Sequence, residues 1–140
     1  MRQKLFDSNQ KARQQVLERL STILTKRAEV VFAYVYGSFL EGFPFHDIDI
    51  GVFVSKVTDE NFSDCSAALS QMLSSEMKVP VDVRILNFAP VSFLYHVFRG
   101  KLIYERDEEM RASIVERTVQ RYLDLQPMIL RGVKEAFGSR

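Results

Sequence analysis

The chain is poor in every residue that cross-links a small protein. It holds one cysteine, Cys65, in 140 residues. No internal disulfide can form, and a reducing compartment is the simpler setting. Besides that thiol there are two histidines, His46 and His96, too few for a Cys/His cluster that would hold a structural zinc. Charge of one sign is lacking as well: nineteen Lys and Arg stand against eighteen Asp and Glu, a net +1. That balance argues against the strong field of a dedicated nucleic-acid binder, though not against a local basic patch. Long apolar runs are missing. The longest, Val30 to Tyr36, falls far short of a membrane span. The opening segment MRQKLFDSNQKARQQ turns polar after six residues and has no signal-peptide core. Repeats and low-complexity tracts are absent too. The expectation by elimination is a cytoplasmic globular protein.

What is present is core material. Hydrophobic residues make up 46% of the chain and charged ones 26%. The length matches the commonest domain size, so one domain over 1–140 is expected, burying roughly 70% of its unfolded surface. Val16, Leu20, Ile23 and Leu24 recur at helical spacing, predicting a helix over about 8–26 with Asp7 or Ser8 as N-cap. VVFAYVY (30–36) reads as a strand buried on both faces, and DIDIGVFV (47–54) as a second strand. A helix opened by Thr58 or Asp59 carries Phe62, Cys65, Leu69, Met72 and Leu73 on one face, which makes Cys65 an inert buried thiol. Then come a strand at 81–86, a short helix begun by Asn87 and Pro90, and a weaker strand at 101–104. A final helical region covers about 107–137, with Pro127 predicting a kink or break. The order implies an α+β (or α/β) sandwich on a small mixed central sheet.

Strand alternation puts the carboxylates of Asp47 and Asp49 on one face, while Ile48, Ile50, Val52 and Val54 take the other. Two like charges so close repel each other. Either they are solvated at a strand end, or a hard cation such as magnesium or manganese lies between them. Gly37-Ser38 directly follows the first buried strand. It is either a common turn or a place where backbone amides and a hydroxyl approach a phosphate. Asp82, inside the apolar VDVRIL, needs a partner. Arg84 is one candidate; convergence with Asp47 and Asp49 on a neighbouring strand is the other. Three such carboxylates can hold two metal ions suited to in-line displacement at phosphorus.

Gly37-Ser38, eight residues, Asp47-Ile48-Asp49 and a later Asp82 resemble the DNA polymerase β-like nucleotidyltransferase superfamily, and within it the minimal nucleotidyltransferases. The resemblance covers about residues 30–111 and implies that family's fold. It also implies two magnesium ions (manganese in the alternative) on Asp47, Asp49 and Asp82, with Asp82 helping to deprotonate or orient an attacking hydroxyl. Gly37 and Ser38 are implied to hold the β- and γ-phosphates of ATP. Many such proteins are antitoxins paired with a HEPN ribonuclease toxin. The implied activity is therefore AMP transfer from ATP to a hydroxyl of that toxin, silencing it.

Three positions depart from the family pattern. The Ser38–Asp47 gap is eight residues where ten is commoner, Glu41 stands where an arginine is frequent, and His46 stands where serine is. The short gap and Glu41 favour the alternative of a degenerate antitoxin that binds nucleotide, or only its partner, and neutralises by contact. The intact Asp47, Asp49 and Asp82 favour activity, and His46 reads as a loop residue. Nucleotidyl transfer to a small molecule or an RNA end is a further alternative. Lys56, Arg84 and Arg99 are candidates for phosphate contacts or surface ion pairs, and Tyr34 and Tyr36 read as core. His96 reads as a surface or satisfied core residue. The last helix carries Met110, Ile114, Val115, Tyr122, Leu125, Met128, Ile129, Leu130, Val133 and Phe137. These suit either the chain's own sheet or a partner or self-association surface.

Overall fold

The computed structural model describes residues 2–41 and 47–137. Strand β1 (Val30–Tyr36) is buried at all of its positions. The reason is central placement: it pairs antiparallel with β2 (Ile48–Val54) on one side and with β4 (Lys101–Glu105) on the other. β3 (Val81–Ile85) adds parallel to β2, giving the order β3-β2-β1-β4. The sheet is small and mixed, as expected.

Alternation divides the strands between two cores. Ala33, Val35, Ile48, Ile50, Val52, Val81, Val83 and Ile85 meet helices α1 (Arg2–Thr25) and α2 (Phe62–Met77) through Leu20, Leu24, Leu69 and Leu73. Phe32, Tyr34, Tyr36 and Leu86 meet helix α3 (Val91–Phe98) through Phe93, Val97 and Phe98. Ile114 and Val115, early in helix α4 (Glu108–Phe137), close that second core.

The edge of β3 is finished by side chains. Ser74 donates to the Val81 carbonyl and accepts from its N–H, Ser70 accepts from the Val83 N–H, and Ser66 donates to the Val83 carbonyl. Serines at i, i+4 and i+8 of α2 thus satisfy backbone groups that would otherwise invite another strand. Asn87 acts similarly at the far end of β2, where its amide accepts from the Val54 N–H at 3.0 Å and donates to the Val54 carbonyl at 2.7 Å.

Several boundaries differ from expectation. α1 begins at Arg2, so Asp7 and Ser8 lie inside it and not at its start; the helix-favouring Arg2, Gln3, Lys4 and Leu5 extend it. α2 starts at Phe62 after Asn61, because Thr58 and Asn61 bond to each other's backbone in a preceding turn. Asn87 serves β2, and α3 starts after Pro90. α4 runs unbroken past Pro127: residues 123–127 are all exposed, so water can take the carbonyl that proline leaves unpaired. Met110 and Leu125 on α4 are exposed, and the side chains of Met128, Ile129, Leu130, Val133 and Phe137 lie outside the described residues. Tyr122 stacks on Tyr95 of α3 at 3.9 Å, so at this turn α4 packs on α3. Cys65 is half-buried, not fully buried, and burial pushes its thiol up. Among the described residues, no helix is long and apolar enough to cross a membrane.

Candidate active site

Chain reversal after β1 fixes the site. Gly37 has φ +84°, in the left-handed region, and turns the chain into a short 3-10 helix over Gly37–Glu41. A side chain would not fit there: a Cβ on Gly37 would stand 2.9 Å from Oδ2 of Asp49. Glycine thus serves twice, for its conformation and for the carboxylate lying against it. Ser38, next in line, is exposed.

Pairing places the acids. Asp49 is opposite Tyr36 across the antiparallel pair and beside Asp82 across the parallel pair. Asp47 lies just before β2 and is exposed. The two strands of DIDIGVFV and VDVRIL are therefore neighbours in the register that sets Asp49 next to Asp82. Arg84, two residues on, holds Asp82 at 3.5 Å between side chains 62% and 51% exposed, a contact of little energetic weight. Asp82 thus has Arg84 as an ion partner and Asp49 as its neighbour on β2.

The site's electrostatics are unbalanced. Burial raises the Asp49 carboxyl, and Asp47 and Asp82 raise it further, while Arg84 and His96 oppose them. Tyr36 is pushed up to about 12 by burial, then by Asp49. Its ring meets Phe93 at 5.7 Å and His96 at 5.6 Å, both edge-on. Tyr36, read from sequence as core or core-edge, is thus the register partner of Asp49. His96, read as a surface or satisfied core residue, meets the Tyr36 ring and lowers the Asp49 carboxyl. The signal for Tyr36 was available in its parity with Asp49; that for His96 was not, because it depends on how α3 crosses the sheet.

Among the described residues, no three His, Cys, Asp and Glu side chains close into a ready-made ion site. The donor chemistry nevertheless suits a divalent cation. The oxygens are hard, they repel one another around Asp49, and Asp47 and Asp82 are exposed and free to turn inward. His46 and the Glu41 side chain lie outside the described residues.

Comparison with known proteins agrees with this geometry. The MNT antitoxin–HEPN toxin complex of Shewanella oneidensis, with the toxin tri-AMPylated, contains a chain that superposes with a TM-score of 0.69 at 20% identity, over 90% of this chain and 99% of that one. A chain of the MntA–HepT toxin–antitoxin structure gives 0.68 at 19% identity, over 89% and 99%. A toxin–antitoxin structure with AMP-PNP gives 0.66 at 20% identity, over 91% and 98%. At such identities the likeness is one of fold. No curated protein matches in sequence. The family model described as polymerase beta, nucleotidyltransferase matches residues 18–109, well over half of the chain and including all three aspartates. The chain therefore belongs to the polymerase β nucleotidyltransferase family.

Proposed function

We propose that this chain transfers AMP from ATP to a hydroxyl of a partner protein, a HEPN-type toxin, and acts as its antitoxin. One observation carries the reading: Asp49 lies beside Asp82 in the register of β2 and β3, against a glycine turn with no room for a side chain. Support comes from the shared fold with antitoxins whose structures include an AMPylated toxin and AMP-PNP.

Asp47, Asp49 and Asp82 would hold magnesium, which when bound supplies positive charge against the phosphates. Gly37 and Ser38 bind the β- and γ-phosphates through main-chain N–H and hydroxyl groups. Asp82, on the outer strand, faces the acceptor and takes or orients the hydroxyl proton. The acceptor oxygen bonds to the α-phosphorus as the bond to the bridging oxygen breaks. Pyrophosphate leaves with that electron pair, and the proton passes to Asp82 and then to solvent. No covalent enzyme intermediate is required; positioning and charge neutralisation carry the rate.

The test is incubation with α-labelled ATP, magnesium and the protein encoded by the adjacent reading frame. Label should appear on that partner and vanish with Asp47→Asn. If Asp47→Asn neutralises the partner as well as wild type does, silencing works by contact and the proposal is wrong.

A further inference from the structure

A cavity of about 540 Å³ opens at the outer edge of β3, between the first turn of α2 and the start of α3. Phe62, Phe88 and Phe93 wall it, with Ser66, Arg84 and Ile85 along the strand side. Phe88 is 46% exposed, its ring 5.7 Å from that of Phe62.

The serine ladder stops at this cavity. The N–H of Leu86 points to β2, bonding the Val52 carbonyl, so the N–H and C=O of Ile85 point outward like those of Val81 and Val83. Serines satisfy Val81 and Val83, but among the described residues nothing bonds the N–H or C=O of Ile85. An unused donor–acceptor pair on a sheet edge matches the main chain of one residue of another polypeptide. The aromatic walls suit that segment's apolar or aromatic side chain. No carboxylate lines the cavity, and Arg84 is its one charged group. A polycationic small molecule finds no matching charge there, and a nucleic-acid backbone, which needs a run of cations, finds only the one.

Reaction geometry gives the pocket its role, resting on the function proposed above. Attacking and leaving oxygens lie in line through phosphorus. With the leaving phosphates at Gly37-Ser38, beyond β1, the hydroxyl must approach from the opposite side, across β3. The cavity lies on that side. At a strand rise of about 3.3 Å per residue, Ile85 is roughly 10 Å along β3 from Asp82. We infer that this cavity docks the acceptor protein: an extended segment pairs with the main chain of Ile85, seats one apolar side chain among the phenylalanines, and presents a hydroxyl about three residues away to Asp82.

The experiment measures AMP transfer to the adjacent-frame protein by wild type, Phe88→Ala and Ser63→Trp. The second variant fills the cavity from an exposed position on α2, and melting curves confirm that both fold. Each should raise KM for the protein acceptor about tenfold and leave KM for ATP unchanged. A rise in KM for ATP alone would make the cavity a nucleobase site and overturn the inference, as would no change in either constant. Should wild type bind ATP yet label nothing, the proposed function fails, and docking is read separately as affinity for the same protein in an Asp49→Asn background. A tenfold weakening on adding Phe88→Ala then upholds the pocket; equal affinity overturns it.

Discussion

The two faces of this sheet are made from the same strands and have opposite characters. On the α1/α2 face, Ile48, Ile50 and Val52 are fully buried against Leu20, Leu24, Leu69 and Leu73. On the α3/α4 face, the alternate residues of β2 and β3 are Asp49, Gly51, Asp82 and Arg84. Here aromatic packing around Phe32 and Tyr34 gives way, toward the end of β1, to a group of repelling acids. Adjacent residues thus serve different ends. Ile50 contributes to stability, whereas Asp49, half-buried and beside two other acids, detracts from it. The dry face is what allows the other to carry that cost.

Asp49→Asn tests the division hardest. AMP transfer should fall about 10³-fold, the scale for removing a centre that stabilises developing charge. Stability should move the other way. The folded-state pKa of Asp49 is raised, so its favourable contribution belongs to the protonated form and is lost as pH rises through that pKa. Above that pKa the wild type carries a charge that burial and the neighbouring acids oppose, and there Asp49→Asn should melt higher. Calorimetry showing a lower Tm would mean that Asp49 is structural. Magnesium with ATP should raise the Tm of wild type and not of the variant.

Ile50→Ala is the converse. Ile50 is fully buried, and truncating it should cost about 2–5 kcal/mol in urea unfolding. At low temperature, where the variant remains folded, kcat per folded molecule should match wild type. A large loss of kcat there would show that the two faces are coupled and that the comparison fails.

Two glycines sharpen it further within the working face. Alanine at Gly37 meets Asp49 Oδ2 at 2.9 Å and a φ of +84°, so it should cost about 1–2 kcal/mol in backbone strain. By displacing the carboxylate it should also lower kcat about tenfold. Alanine at Gly51 meets Val97 Cγ1 at 2.8 Å and Leu86 Cδ2 at 2.9 Å, side-chain ends in the aromatic core. It should cost about 1–3 kcal/mol by overpacking and leave kcat alone. Equal activity losses in both would place the effect in general packing.

Much of this was legible in the sequence because it rests on parity. Period-two alternation gave both faces of β2 and β3, and Gly37-Ser38, Asp47, Asp49 and Asp82 carried the family resemblance. Pairing is not written in any one segment. That Asp49 stands beside Asp82 follows from β2 and β3 being parallel neighbours, joined through α2. The helix-end expectations failed where local chemistry was ambiguous: Asp7 and Ser8 look like caps but sit inside α1, and Pro127 looks like a break but lies on an exposed stretch. The serines of α2 would read as solvent-facing residues until the edge of β3 arrives beside them.

The smallest effect concerns Tyr36, which belongs to both regions. It is buried in the aromatic core, yet its register partner is Asp49. Its pKa rises from 10.0 to about 12, chiefly through burial and then through the neighbouring carboxylate. An unfolded tyrosine ionises near pH 10. Below that pH the protonated phenol has no pH-dependent effect on stability. Between about 10 and 12 the unfolded chain loses its proton and the folded one keeps it, so stability falls with rising pH. Tyr36→Phe removes that slope. Urea unfolding of both proteins at intervals from pH 9 to 11.5 should therefore give a stability difference that shifts steadily in favour of Phe above pH 10. A constant difference would show that the phenol feels neither burial nor Asp49, and that the carboxylate's influence stops short of the aromatic core.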